Sequence, residues 1–453
     1  MTTWRARAAE VVITPPVGGA MEGYGARKGV STGIHDDLQA HALVLDDGRH
    51  AAAIVTCDVI SVDAPIVASV REAAKRQWGI PPERVLIAGT HTHSGPRGLL
   101  HLRAAGDAEL IAVTTRHIIG AIAAAVGQLA PARLMAGARP LDSIGLNRRF
   151  PDGPIDPMLR VLRVEAENGE LLAALINYAC HPTILNHDNL RLSRDWPGYA
   201  CRAVKALWGD QAVVLFANGA CADINPVKIS ETFAETRRVG TIVGAEAARV
   251  LGELAAHGRE QVVHNLRWGE HTLKPPSVGR SVSPRLAGAI VQVTLPWKRF
   301  STDEDYRAQL TNLRAVVAAL PEGDEGREER RRLMPVMTAL SAEAATAGWG
   351  RRASAEQPDG FVTEVQALSL GSEAALVTAP GELMVEIGAA IERESWAPST
   401  FVVAYANDAA GYLVTDATHG EGGYEAGRSL YAPGVEAKLR EAARTALAAV
   451  RES

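Results

Sequence analysis

Three stretches of this chain repeat one pattern: an apolar run, a tight polar turn, and a second apolar run. They are AHALVLDDGRHAAAIVTCD (40–58), VLRVEAENGELLAALINYACH (161–181) and EVQALSLGSEAALVTAPGE (364–382). Gly and Asn at their centres accept positive φ, so each stretch reads as a β-hairpin. The returning strands run into Asp58, His181 and Glu382. Shorter apolar runs at 85–89, 212–219 and 400–408 predict further strands. They lead to His91 and His93, to Asp223 and Asn225, and to Asn407 and Asp408. Apolar periodicity and glycine stops predict helices over 64–78, 107–127, 196–208, 231–256, 382–394 and 435–450. The expected fold class is therefore α/β: mixed sheets with several hairpins and flanking helices, functional groups gathered at strand ends, and one helical insertion. Repeated hairpins argue against a closed parallel barrel, another fold in which an HxH motif binds metal.

Of the 453 residues 47% are hydrophobic and 22% charged, which excludes a disordered or collagen-like chain. A net charge of −5 gives no reason to expect nucleic acid or an anionic membrane as partner. The N-terminus lacks an uninterrupted apolar run of the secretory kind, and no stretch reads as a membrane span. Four cysteines at irregular spacing are no disulfide framework. Together these predict a reduced, cytoplasmic enzyme acting on a small-molecule substrate, with a homo-oligomer left open. Residues 303–349 are helix-forming and carry the mixed-charge run EGDEGREERRR, read as a solvated face, with a lid or a contact between copies as the alternative.

GTHTHSGP at 89–96 is the sharpest local signal. On an extended backbone His91 and His93 point the same way, which makes the pair a candidate metal site, with two histidines bonded to backbone carbonyls as the alternative. His181 in NYACHPTILN would, alone, be a structural histidine. Glu382 in APGELMVE would, alone, be a carboxylate in the first turn of a helix. Tyr412 and Tyr424 sit in a glycine-rich segment and by themselves need only pack. Arg148 in GLNRR fits a structural ion pair equally well, and Cys180 and Cys221 read as buried small hydrophobes.

In order along the chain, MEGYGARKGVSTGIHDDLQAHALVL, VTCDVISVD, VLIAGTHTHSGP, GLNRR, ACHPTILN, FANGACADINP, PGE and NDAAGYLVT…GGYEAG resemble the neutral/alkaline, non-lysosomal ceramidases, zinc-dependent amidases. The resemblance spans most of 10–230 and 360–430. It does not reach roughly 270–360, and the chain ends without the C-terminal β-domain typical of the long members. The resemblance implies His91, His181, Glu382 and Tyr412 as zinc ligands, and His93 and Arg148 as contacts to the reacting acyl oxygens. It also exposes a departure. Where the family has a serine, this chain has Asn225, which offers no nucleophilic hydroxyl but can hydrogen-bond a carbonyl or position a water. Mn²⁺ or Fe²⁺ suits similar ligands.

The reading that follows is a zinc-dependent hydrolase of a small soluble N-acyl or cyclic amide. In it metal-activated water attacks, His93 moves the proton and Arg148 stabilises the oxyanion. An esterase or lactonase on the same metal, a ceramidase proper, and a catalytically silent metal-binding protein are the alternatives. If four ligands from 91 to 412 share one ion, residues 1–270 and 361–453 form a single discontinuous domain, and 271–360 is an insertion on its surface or over the site.

Overall fold

The structure is a computed structural model, described here for residues 3–100, 106–257, 261–265, 269–273 and 279–452. Nine strands form its larger sheet: β1 (Trp4–Val12), β2 (Gln39–Asp46), β3 (Ala51–Cys57), β4 (Val85–Gly89), β5 (Ala130–Pro140), β6 (Met158–Ala166), β7 (Leu171–Tyr178), β8 (Val213–Asn218) and β9 (Gly279–Val282). Their order is β8-β7-β6-β5-β1-β2-β3-β4, with β9 also paired to β5. A second sheet has the order β10 (Leu286–Leu295), β11 (Phe361–Leu370), β12 (Ala374–Thr378) and β13 (Ser399–Val403). The predicted hairpins are β2–β3, β6–β7 and β11–β12, all antiparallel. Within these two sheets three pairs run parallel: β3 with β4, β7 with β8, and β12 with β13. The sheets are open and mostly antiparallel, so the closed parallel barrel is excluded.

The sheets pack face to face. Trp4, Leu43, Ile54, Leu162 and Leu215 of the first interdigitate with Leu286, Leu368, Leu376 and Phe401 of the second in one buried cluster. Helices cover the two outer faces. On the first sheet lie α1 (Ala64–Trp78), α2 (Ala108–Val126), α3 (Asp195–Trp208) and α4 (Phe233–Ala255), burying Val67, Ile118, Trp196 and Leu251. The outer face of the second sheet receives a helix at Val385–Glu394 and one at Val435–Glu452, through Ile387 and Leu447. The result is a four-layer α/β/β/α sandwich. α2 is, by length and composition, apolar enough to cross a membrane, contrary to the sequence expectation, yet its Ile118, Ala121 and Ile122 face the strands of the first sheet. Arg71 on α1 reaches past the sheet edge to the carboxylate of Glu364 on β11, at 2.7 and 3.0 Å, joining residues distant in sequence.

Two features differ from expectation. Residues 279–282 and 286–295, assigned from sequence to the insertion, are strands of the two sheets: Val282 and Leu286 fit the inter-sheet core, and Val293 and Leu295 fit the core under the outer helices of the second sheet. The helical part begins later, with α5 (Asp303–Ala319) and α6 (Asp324–Glu356), and residues 274–278 of the expected insertion lie outside the described residues. A Thr302–Asp305 capping box starts α5. In addition, Glu382 does not open a helix. It lies on a two-residue strand, and the following helix starts at Val385. Among the strands of the two sheets, β1, β5, β9 and β10 were not foreseen; the prolines Pro131 and Pro140 at the ends of β5 mask it in the sequence.

Asp408, in the segment that follows β13, is buried and accepts bonds from Thr363 Oγ1 (2.8 Å) and from the Ala409 N–H (2.8 Å). Burial pushes its pKa up to about 7, against the partial relief of those bonds. An unfolded aspartate ionises near pH ~4, so between ~4 and about 7 the folded chain holds more protons than the unfolded one and stability falls as pH rises. Asp408→Asn removes that slope. Its melting temperature relative to the parent is expected to climb between pH 5 and 8 in thermal denaturation, and a constant difference would contradict the assignment.

Candidate metal centre and active site

The site forms where the carboxyl ends of the three parallel strand pairs meet, at Cys57 and Gly89, Tyr178 and Asn218, and Thr378 and Val403. Parallel pairs direct all their C-terminal loops to one edge, so residues distant in sequence become neighbours there. Asn218 ties these ends together. Its Oδ1 accepts from the Cys180 N–H at 3.3 Å, its Nδ2 donates to Thr90 and Cys180 carbonyls at 3.4 and 3.2 Å, and its own carbonyl accepts from the Ala404 N–H at 3.0 Å. The segment after β13 then lies along β4: the Gly89 N–H donates to the Tyr405 carbonyl at 3.0 Å, and the Asn407 side chain caps Ile87.

His91 and His181, both buried, face one point. Each places Nδ1 on a backbone carbonyl, His91 on Ile60 at 2.7 Å and His181 on Ile224 at 3.1 Å. A carbonyl can only accept, so Nδ1 carries the proton in both rings and Nε2 presents a lone pair. His181 Nε2 is buried and makes no hydrogen bond. Glu382 Oε2 stands 3.7 Å from His91 Nε2 and 3.6 Å from His181 Nε2. Burial opposes the charge on this carboxylate, yet the neighbouring His181 and His91 and the Tyr412 hydroxyl hold it well below its ordinary value. Glu382 and Tyr412 are aligned by direct parallel pairing of Glu382–Leu383 with Tyr412–Leu413.

Left-handed backbone marks the surroundings. The non-glycine residues with positive φ among those described are His91 (68°), Asp195 (55°), Tyr405 (56°) and Asn407 (63°). Such conformations cost of order 1–3 kcal/mol each and persist where neighbours over-determine them. The His91 ring stacks on Tyr405, centroids 3.8 Å apart at 18°.

His93 keeps some exposure and approaches His91 Nε2 to 3.2 Å through its own Nε2. Because His91 Nε2 holds a lone pair, His93 donates, leaving His93 Nδ1 buried with no hydrogen bond. Burial first, then the neighbouring His91 and His181, push its pKa well below the ordinary imidazole value, so His93 is neutral at pH 7. Tyr24 packs on it at 4.8 Å, and a Cβ on Gly23 (φ +109°) would overlap the His93 ring carbon at 2.8 Å. The ligand atoms of His91, His93 and His181 lie within 4.8 Å of one another, so a three-imidazole set is available besides the set with Glu382 and Tyr412.

Arg148 stands across the site. It donates Nε–H to Glu425 at 2.7 Å, an Nη2 hydrogen to Tyr412 at 3.1 Å, and an Nη1 hydrogen to Asn225 Oδ1 at 3.3 Å. Burial works against its charge, but Tyr412 and Glu425 more than compensate and keep it cationic. Asp223 braces the floor, accepting from Asn147 Nδ2 (3.0 Å) and the Val385 N–H (3.0 Å). Burial lifts its pKa to about 6. Cys57, Cys180, Cys201 and Cys221 are free and buried, and burial raises their thiol pKa values, so none is a nucleophile at neutral pH.

The donors fit a metal ion. Two imidazoles with tautomers fixed by second partners, a charged carboxylate and a phenol match zinc's nitrogen and oxygen preferences, and the buried Nε2 of His181 otherwise lacks a partner. All seven residues singled out from sequence thus lie in one region. Tyr405, Asn218, Tyr24 and Glu425 were not given roles there; for Asn218 and Tyr405 the only signal was their place in the last residues of predicted strands.

Gly381 makes the Glu382–Tyr412 alignment possible, since a Cβ there would fall on the Gly411 carbonyl oxygen. Gly381→Ala must push the two short strands apart. The expected outcome is a loss of about 1–3 kcal/mol in chemical denaturation together with weakened metal retention; unchanged values in both would contradict the geometry.

The chain resembles the neutral/alkaline non-lysosomal ceramidases: its residues 8–226 match that family's profile, "Neutral/alkaline non-lysosomal ceramidase, N-terminal". It is similar to neutral ceramidase from Pseudomonas aeruginosa, 24% identical over 469 aligned positions covering 93% of this chain and 68% of that protein. It also resembles neutral ceramidase B from Dictyostelium discoideum, 29% identical over 201 residues, a match covering 39% of this chain and only 28% of that relative's length. The crystal structure of the Pseudomonas aeruginosa neutral ceramidase shares the fold, with a TM-score of 0.75 at 21% identity over 99% of this chain and 75% of that one. A ceramidase complexed with C2 superposes similarly, TM-score 0.73 at 21% identity, covering 100% of this chain and 76% of that one.

Proposed function

We propose that the chain is a metal-dependent hydrolase that cleaves the amide bond of a small, water-soluble N-acyl or cyclic amide. The observation that carries this is the convergence of His91, His181, Glu382 and Tyr412 with neutral His93 and cationic Arg148 at one sheet edge. His91, His181, Glu382 and Tyr412 would hold the ion, with zinc preferred by the donor set and Mn²⁺ or Fe²⁺ compatible. A bound zinc ion would supply Lewis acidity and a water acidified towards pH ~7. The remaining work falls to the protein. His93, neutral and reached from the surface, takes the proton of the attacking water and delivers it to the leaving nitrogen. Arg148, fixed by Glu425, offers its charge to the developing oxyanion. Asn225 accepts from Arg148 through Oδ1, which turns its amide hydrogens towards other acceptors, such as a substrate carbonyl.

A soluble substrate is favoured over a two-chain lipid by the arginines in the clefts beside the site, and by an asparagine at the position of the family's serine. One cleft, of about 860 Å³, is lined by Arg148, Arg149 and Arg331 together with Met334 of α6. The test is a panel assay of the zinc-loaded protein with soluble N-acyl amides, matched esters and a short-chain ceramide in detergent. Turnover of soluble amides is the expected result. Turnover of ceramide alone would overturn the substrate assignment, turnover of esters alone would make the protein an esterase, and no turnover with metal bound would leave a silent metal-binding protein.

A further inference from the structure

A second cleft, of about 730 Å³, opens between α6 and the loop at residues 22–26. Its walls include Glu22, Tyr24, Met337, Trp349, Tyr424 and Arg428. Two of these residues touch the site: Tyr24 packs on His93 at 4.8 Å, and the Tyr424 ring lies 5.8 Å from that of Tyr412. Tyr424 and Thr338 also line the cleft that contains Arg148, so the two clefts meet beside the reacting groups.

The charges along this cleft are unbalanced. Glu22, its acidic residue, is engaged by Arg97 at 3.4 Å. Lys298, close enough to Arg428 to feel its charge, is paired with Glu343 at 3.4 Å. Arg428 has no carboxylate partner among the described residues. Its guanidinium lies near two aromatic rings, 5.5 Å from the Trp349 centroid and 5.9 Å from that of Tyr424, and its Nε is buried without a hydrogen bond. A guanidinium flanked by aromatic rings is favoured there by cation–π attraction, and it is matched in shape and charge by a planar carboxylate.

We propose that Arg428 binds a carboxylate carried by the substrate, several bonds from the amide that is cleaved. The inference rests on the amide-hydrolase reading above. The spacing comes from the geometry: Arg428 and Tyr412 each neighbour the Tyr424 ring, 5.9 Å and 5.8 Å from its centroid, and no contact joins the two directly among the described residues. An α-carboxylate beside the scissile bond is too close to the reacting carbon to span that ring. The substrate class is thus an N-acylated ω-amino acid, or a monoamide of a dicarboxylic acid. In the reaction the oxygen of water bonds to the acyl carbon, the C–N bond breaks with its electron pair going to nitrogen, and both protons of the water end on that nitrogen. The products are a carboxylate and an ammonium group, and the distal carboxylate is unchanged.

The test separates binding from turnover by using ketone analogues, in which CH₂ replaces the amide NH and nothing can be cleaved. Calorimetry compares analogues of 6-(hexanoylamino)hexanoate and of octanedioic acid monohexylamide with their terminal carboxamides. At least one carboxylate is expected to bind about 10-fold or more tighter than its carboxamide, the size of one charged hydrogen-bonded contact, and the glycine analogue is expected to show no such preference. Arg428→Gln should erase the preference and Arg428→Lys should keep part of it; the carboxamide's affinity in the same variants reports that the cleft is still formed. Equal binding of carboxylate and carboxamide, or a preference that survives Arg428→Gln, overturns the proposal. The parent amides are then assayed for hydrolysis. A carboxylate preference without cleavage would retain Arg428 as the anchor and discard the hydrolase, whereas cleavage without the preference would do the reverse.

Discussion

His91→Ala and Glu382→Ala are each expected to abolish stoichiometric metal binding and to lower kcat/KM by about 10³-fold or more, because a catalytic metal supplies several kcal/mol of transition-state stabilisation. The two residues are 291 positions apart in the chain and meet at 3.7 Å. Loss of the same metal from either variant would show that both ends of the chain serve one ion. The cost to the fold should differ. Removing His91 also releases its bond to the Ile60 carbonyl and its stacking on Tyr405, so this variant should melt at a lower temperature than the parent. Metal analysis by plasma emission, kinetics and thermal denaturation read the three effects separately. Full metal content in either variant would remove that residue from the ligand set.

His93→Gln should behave differently. With His93 as the proton carrier, kcat falls by about 10²–10⁴-fold, the usual contribution of a positioned acid–base group, and metal content stays at the parental level. With the three-imidazole ligand set the same substitution would lose metal, since His93 Nε2 lies 3.2 Å from His91 Nε2. One purified variant thus decides between two readings that the geometry alone permits. The protein's own pH profile adds to this. Burial and the flanking histidines hold His93 well below the ordinary imidazole value, so activity should persist to lower pH than an unperturbed histidine with pKa ~6.5 would allow. As the base, His93 must be neutral, and activity falls only once the pH drops through its lowered pKa.

Much of this arrangement is written locally in the sequence. Hairpins depend on residues a few positions apart, so the turns at Asp46–Gly48, Asn168–Gly169 and Leu370–Ser372 announced β2–β3, β6–β7 and β11–β12. The HxH motif and the strand-end histidines were legible for the same reason. What was not legible depends on partners far away. β1, β5 and β10 are strands because neighbouring strands and the inter-sheet core receive them, a tertiary choice that overrides modest local signals. Glu382 reads as the start of a helix because a carboxylate suits a first turn, yet pairing with Tyr412 and the close approach of Gly381 to Gly411 place it on a strand. The roles of Asn218 and Tyr405 follow only from the meeting of strand ends at 178, 218 and 403. The ligand identities of His181, Glu382 and Tyr412 came from resemblance, since each residue alone has a simpler structural explanation.

The measurement closest to the central claim is a crystal structure of the zinc-loaded protein with anomalous data collected on both sides of the zinc edge. The account predicts a single strong peak at bonding distance from His91 Nε2, His181 Nε2, a Glu382 carboxylate oxygen and the Tyr412 hydroxyl, with His93 and Arg148 facing it but not bonded to it. A peak elsewhere, or no peak at these four side chains in fully zinc-loaded crystals, would contradict it.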